Sequence, residues 1–296
     1  MMKSSEKTEI LITGATGTIG SEICRQLSKK GIPFRAMSRK RETMKEIEKL
    51  QGAEIVLADF NDSASLEKAL EGIKHAFLLT DSSEHTEQLQ LNFVTMAKKA
   101  GLEHLVKLSQ LHAAKDSPVR FLRYHAQVEE AIENSGMVYT FLRPNLFMQG
   151  LLGFKTPIAQ QGKFFATIGD ARISLIDIRD IAAVAVETLQ GNAHYNKIYN
   201  LTGPAAMTHP EIADSFSMAL GNTIDYIQIS DEEMLKTLSA VGFPHWQAQG
   251  LVEDYAHYAR GEAEDITNDV QHVTGKKARS FKDFLADYQD YFRRDH

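Results

Sequence analysis

Glu9-Ile10-Leu11-Ile12-Thr13-Gly14-Ala15-Thr16-Gly17-Thr18-Ile19-Gly20 is the stretch whose reading decides the fold. Its aliphatic opening reads as a buried strand, and residues 21–30 continue as an amphipathic helix. Glycine spacing alone says little, but a strand before it and a helix after it supply the geometry of a pyrophosphate-binding turn. Gly14 permits the tight turn, Gly17 lets backbone approach an anion, and Gly20 lets the helix pack closely on the strand. Thr16, Thr18 and Ile19 complete the loop, where backbone N–H groups and the helix dipole face negative charge. The alternative, a merely structural strand-to-helix turn, does not account for the agreement of all three glycines with this context.

From this loop to about residue 201, short aliphatic or β-branched runs alternate with amphipathic segments, the pattern of a parallel sheet built from βαβ units. Seven strands are predicted at 9–13, 34–38, 53–58, 75–80, 104–109, 138–143 and 197–201. The helices between them include 19–30, 63–70, 84–100, 120–134 and 179–189, each with apolar residues at three- and four-residue spacing. The expected fold is therefore a doubly wound α/β Rossmann-type sheet with a smaller, mostly helical C-terminal lobe. Residues 1–145 plus 173–203 are expected to form the nucleotide-binding domain, and 146–172 plus 204–296 the substrate lobe. Within the latter, a single strand is predicted at 223–229, and capping-box spacing marks helix starts at Thr208 with Glu211 and Ser230 with Glu233.

A length of 296 residues suffices for one large domain with an appended lobe, and 43% hydrophobic with 24% charged residues is a globular balance. A net charge of −6 provides no global basic field for nucleic acid, so direct nucleic-acid binding is not expected. Cys24 is the only cysteine, and the polar start, residues 1–9, carries no apolar signal-peptide core. No apolar run approaches the roughly 18 to 20 residues that span a bilayer, so a cytoplasmic protein without a membrane role is expected. The eleven histidines and one cysteine form no compact ligand motif, and no metal site is expected.

About twenty residues beyond the glycine loop, NAD-specific sites place an acidic residue on the ribose 2′-hydroxyl. This chain has Ser38-Arg39-Lys40-Arg41 there. A guanidinium can grip a 2′-phosphate through paired hydrogen bonds where a carboxylate would repel it, so NADP(H) is expected over NAD(H), with Arg39 the foremost contact. The plainer alternative is a solvated basic loop. Asp59 and Phe60, ending the third strand, suit hydrogen bonding and packing against adenine.

These segments resemble the NmrA-like proteins, atypical short-chain dehydrogenases that include bacterial NAD(P)H:quinone oxidoreductases and triphenylmethane dye reductases. The resemblance covers nearly the whole length. It is carried by the Gly14 to Gly20 loop, Ala36-Met37-Ser38-Arg39, Ala58-Asp59-Phe60, Thr140-Phe141-Leu142-Arg143-Pro144-Asn145, Asp177-Ile178-Arg179-Asp180-Ile181-Ala182 and Tyr199-Asn200-Leu201. It implies that Arg39 meets the 2′-phosphate, that Asp59 and Phe60 lie on the adenine side, and that Thr80 approaches the cofactor. It implies further that Leu142, Arg143, Pro144 and Asn145 flank the nicotinamide. Ser109 falls where the wider superfamily has its catalytic serine, although a serine at a strand end is as readily a turn former.

The usual proton donor of that superfamily, a tyrosine followed four positions later by lysine, is absent: Tyr124 is followed by Val128 and Tyr139 by Arg143. Ordinary alcohol dehydrogenase chemistry is therefore not expected, and an extended short-chain enzyme such as a sugar-nucleotide epimerase is disfavoured on the same ground. Tyr124 and His125 are the remaining acid candidates on the helix after the fifth strand, His125 sharing a face with Glu129. The plainer alternative there is an exposed His–Glu pair. Phe147, Met148, Phe154, Phe243 and Trp246, with Phe164 and Phe165, form an aromatic and methionine set able to hold a flat apolar ligand, though some must be core. The expected function is hydride transfer from NADPH to a quinone or other conjugated aromatic. The alternative is an NADP(H)-sensing regulator with a protein partner and no significant turnover.

Overall fold

The computed structural model describes residues 8–293; residues 1–7 of the polar start lie outside them. In chain order the elements are β1 (Ile10–Ile12), α1 (Thr18–Lys29), β2 (Phe34–Ser38), β3 (Ala53–Leu57), α2 (Ser63–Leu70), β4 (His75–Leu78), α3 (Thr86–Lys99) and β5 (His104–Leu108). These are followed by α4 (Arg120–Ser135), β6 (Val138–Pro144), α5 (Lys155–Gln161), β7 (Lys163–Ala166), α6 (Ile178–Thr188) and β8 (Lys197–Leu201). The chain closes with α7 (His209–Leu220), β9 (Asp225–Gln228), α8 (Asp231–Ala240), α9 (His245–Ala259), α10 (Asp269–Thr274) and α11 (Phe281–Phe292).

Seven strands form one sheet in the order β3-β2-β1-β4-β5-β6-β8. The pairings from β3 across to β6 are parallel. Both faces of such a sheet are covered by crossover helices, which is why β1 and β5 are buried along their whole length. Strand order reverses between β1 and β4, and in doubly wound sheets ligands bind outside the carboxyl ends of the strands at that switch point. Thr13 fastens these two ends together. Its hydroxyl accepts the Leu79 N–H at 2.8 Å and lies 3.0 and 2.9 Å from the carbonyls of Phe77 and Leu79.

Two compact units emerge. Of the described residues, one comprises those up to Ser109 with Tyr124–Arg143 and Ile181–Tyr199; the other comprises Gln110–Arg123, Pro144–Asp180 and those from Asn200 onward. The first unit buries a core that includes Leu11, Leu66, Phe93, Leu105, Ile132 and Phe141. The second buries its own around Phe164, Phe216, Phe284 and Phe292. In the second unit β7 and β9 pair in parallel as a separate two-stranded sheet; β9 realises the expected strand, whereas β7 lies in a segment that carried no strand signal. Both expected capping boxes form, at Thr208/Glu211 and Ser230/Glu233, and a third, unexpected one forms at Ser280/Asp283. No helix among the described residues is long and apolar enough to cross a membrane.

Candidate functional site

The glycine loop is shaped by close approach. Gly14 has φ +60°, and a Cβ there would lie 2.9 Å from the Leu79 carbonyl oxygen. At Gly20 a Cβ would sit 2.1 Å from the Gly14 carbonyl oxygen, so α1 can press onto the loop only with glycine in that place. Gly17 differs: an added Cβ would meet a single atom, Gly14 O at 3.3 Å, a tight contact but not a collision. Gly17 caps α1 without any side-chain hydrogen bond, and the first turn carries no acidic residue, which leaves its N–H groups and positive dipole end available to an anion. By contrast α2, α7, α8 and α11 are all capped by side chains. A cradle that a side chain would fill, at an uncapped helix start, fits a pyrophosphate. Thr16 and Thr18 are exposed in it, and Ile19 is buried behind it.

At the end of β2, Ser38 Oγ lies 3.1 Å from Thr43 Oγ1 and accepts the Lys40 N–H at 3.3 Å, while Thr43 donates to the Lys40 carbonyl at 2.7 Å. Ser38 therefore shapes the basic turn. Arg41 pairs with Glu48 at 3.0 Å, whereas Arg39 is exposed and has no hydrogen-bond or ion-pair partner among the described residues. Asp59 accepts the Asn61 N–H at 2.8 Å, and Phe60 packs on Phe93 with ring centroids 5.8 Å apart. Thr80 accepts a hydrogen bond from buried Gln90 at 2.9 Å.

Ser109 ends β5 with its N–H on the Leu142 carbonyl at 2.7 Å and its side-chain Oγ buried without a partner. A buried hydroxyl without a partner is a cost unless another group satisfies it. Leu142 itself is wholly buried between strands. Arg143 donates to both carboxylate oxygens of Glu129, which is 4% exposed, and this pairing raises the Arg143 pKa further. The exposed His125–Glu129 pair is thus not what forms. His125 is instead buried, and its Nδ1 lies 2.7 Å from Nζ of Lys107 on β5. Burial, then the Lys107 charge, hold the imidazole well below its ordinary pKa, so it is neutral. Lys107 is fully buried, which pushes its pKa down to about 7. The Tyr124 ring lies 4.2 Å from that of His125.

Within the second unit, Asn145 is fully engaged. It donates to Ser174 Oγ and the Ala263 carbonyl, both at 2.8 Å, and accepts the Leu146 N–H at 2.8 Å. Pro144 accepts the Leu111 N–H at 2.9 Å. Met148 is a core residue, 1% exposed. Phe154 packs on Phe164 at 5.9 Å, and Phe147 forms an isolated bridge with Ile176. Trp246 packs on Phe121 at 5.4 Å, with the Arg120 guanidinium 5.3 Å from its ring, and Phe243 is 37% exposed. Sequence reasoning missed Asp254 and Gln110, whose amide donates to both carboxylate oxygens at 2.9 and 3.1 Å. Burial pushes the Asp254 pKa up to about 7. It missed Lys107 as well, although a lysine inside the apolar run His104-Leu-Val-Lys-Leu108 was a signal that could have been read.

The model of the NmrA-like family matches residues 6–291. The NAD(P)H azoreductase of Xenophilus azovorans is 35% identical over 275 residues, which cover 93% of this chain and 96% of the relative. A (4-alkanoyl-5-oxo-2,5-dihydrofuran-3-yl)methyl phosphate reductase of Streptomyces griseus is 32% identical, covering 96% of this chain and 99% of the relative. Among solved structures, an NADPH-dependent quinone oxidoreductase of Escherichia coli in complex with NADPH superposes with a TM-score of 0.86 at 26% identity. That superposition covers 95% of this chain and 99% of the other.

Proposed function

This chain belongs to the NmrA-like family, and from that premise we propose that it is an NADPH-dependent oxidoreductase that delivers hydride to a quinone or another conjugated, electron-poor acceptor. The observation that carries this reading is the cradle of Gly14, Gly17 and Gly20 beneath the uncapped start of α1. The similarity to an azoreductase, a quinone oxidoreductase and a reductase of an unsaturated lactone supports the acceptor class, since each of those names implies an electron-poor unsaturated group.

A bound nicotinamide supplies the hydride. The protein's own residues bind and orient it: the N–H groups at Thr18 and Ile19 take the pyrophosphate, with Thr16 beside them and the Gly17 N–H closing the loop on the Gly14 carbonyl at 3.0 Å. Arg39, unpaired and exposed, takes the 2′-phosphate and favours NADPH, with Ser38 holding its turn. Asp59, Phe60 and Thr80 serve the adenine and ribose side. Ser109, with its unpaired hydroxyl, and the Leu142 to Asn145 segment serve the nicotinamide side. In this reading residues 1–145 plus 173–203 hold the cofactor, and 146–172 plus 204–296 supply the acceptor lobe. Phe147, Phe154, Phe243 and Trp246 then contribute flat apolar surface, and Met148 backs them from the core.

The test is NADPH oxidation followed against a small panel of quinones, azo dyes and cationic triphenylmethane dyes, beside calorimetric binding of NADPH and NADH. Turnover of at least one class, with NADPH bound more tightly than NADH, is the expected result. Tight NADPH binding with no acceptor reduced would instead favour a redox-sensing regulator whose partner distinguishes NADP⁺ from NADPH.

A further inference from the structure

We infer that Lys107 and His125 form a two-member proton relay that protonates the reduced acceptor, Lys107 acting only through the imidazole. This rests on the reductase reading above. Lys107 is wholly buried, and among the described residues its ammonium has no carboxylate partner. Its two acceptors are the Leu108 carbonyl at 3.2 Å and His125 Nδ1 at 2.7 Å. The nearby carboxylate, Glu129, is engaged by Arg143. A buried ammonium without a carboxylate partner is a costly way to fill space, which an apolar side chain would do better.

The imidazole joins this buried charge to the outside. A donating ammonium leaves Nδ1 as the acceptor, so the ring proton sits on Nε2. Nε2 has no hydrogen-bond partner among the described residues and is not among their buried unpaired polar atoms, so the 9% exposure His125 retains leaves that edge of the ring able to reach a ligand. Lys107 and Ser109 are two positions apart, which in an extended strand places them on one face. The lysine absent from the helix, four positions after Tyr124, thus has a counterpart entering from β5.

The step balances. Hydride addition to a neutral quinone leaves a hydroquinone monoanion, whose oxygen takes the Nε2 proton as Nδ1 takes one from Lys107 Nζ. The imidazole ends neutral as the other tautomer, the lysine ends as a neutral amine, and its lost positive charge cancels the lost negative charge of the product. Solvent then returns a proton to Nε2 while the Nδ1 proton passes back to the amine. A lysine whose pKa lies near 7 can be both charged before this step and neutral after it at ordinary pH.

A cationic triphenylmethane dye becomes a neutral product on taking hydride and needs no proton, so it separates proton supply from cofactor binding and hydride delivery. The expected result for Lys107→Met is a loss of about tenfold or more in quinone kcat relative to dye kcat. The wild-type quinone rate should fall as pH rises above about 7, where Lys107 loses its proton, and the variant should lack that limb. Nitrogen NMR of the cofactor-free protein provides a readout apart from turnover: His125 should show the Nε2–H tautomer, with a shift that follows the Lys107 midpoint and loses it in Lys107→Met. Equal losses with both acceptors, an unchanged pH profile, or an Nδ1–H tautomer at neutral pH would overturn the relay. Absence of wild-type turnover with every acceptor would overturn the reductase reading itself.

Discussion

In the reading proposed above, cofactor choice turns on a single exposed side chain, Arg39. Arg41, two positions on, is bound to Glu48, and Arg39 is left without a partner. A guanidinium that loses no existing ion pair when it meets a 2′-phosphate contributes its whole charge-assisted interaction to the preference. Arg39→Ala is therefore expected to narrow the gap between NADPH and NADH affinity by about 1.5 to 3 kcal/mol, read by calorimetry. Equal affinity of the wild type for the two cofactors would defeat the argument. Tyr124 carries a second expectation at this scale. With valine rather than lysine at position 128, Tyr124→Phe should lower quinone turnover by much less than the roughly 100-fold or more that loss of a true general acid brings. Elimination of turnover with NADPH affinity and folding intact would establish a rearranged tyrosine site. Arg39 was legible as a candidate because its place after β2 follows from local chain order. The Lys107–His125 contact was not, because it joins a strand to a helix 18 residues away and only packing reveals it.

Among the elements, the β1–α1 junction carries most of the information. Gly20 and Gly17 serve different ends, and side chains added there should fail differently. Gly20→Ala forces a carbon onto backbone already within 2.1 Å and is expected to destabilise the protein by about 1–3 kcal/mol, read by urea unfolding. Gly17 has extended backbone, φ −78° and ψ 173°, which valine accepts, and an added Cβ meets only Gly14 O, at 3.3 Å, so Gly17→Val should fold with a small loss of stability and yet lose cofactor binding. Retained NADPH affinity in that variant would make the loop merely structural. The same scale shows why part of the fold was readable. The strands of the large sheet are as short as three residues at β1, but they recur with helix-length amphipathic segments between them, and that alternation is what registers. β7 spans four residues and exists only because β9, some sixty residues later, pairs with it. The cap at Ser280 escaped notice because Asp283, not glutamate or glutamine, closes the box.

For the molecule as a whole, acid should weaken both units, since each buries a neutral histidine with an unpaired nitrogen. In the first, Thr140 donates its hydroxyl proton to the His194 carbonyl at 2.7 Å and so can only accept from His104 Nε2 at 2.8 Å. His104 Nδ1 is left buried without a partner, and a proton there would meet no acceptor. In the second, His209 lies in the first turn of α7 with its ring against Tyr226 and Phe164, at 5.1 and 5.9 Å, and its Nδ1 is likewise unpaired. The helix dipole there also disfavours a cation. Burial lowers both pKa values from 6.5 to about 4, the neighbouring histidines adding to the effect at His104. Between these limits the unfolded chain binds protons that the folded protein refuses. Stability is therefore fully present above about pH 6.5 and declines as pH falls, levelling near pH 4. At about 1.4 kcal/mol per pKa unit, each histidine contributes a loss of about 3 kcal/mol. His209→Phe keeps an aromatic ring against Tyr226 and removes the titrating group. Urea unfolding of wild type and variant at pH 7 and pH 4.5 should show a smaller loss in the variant, and the difference between the two losses isolates His209 from the carboxylates that titrate in the same range. Identical losses would mean that protonation at this position is accommodated in the folded state, by opening of the β7–β9 region around the ring.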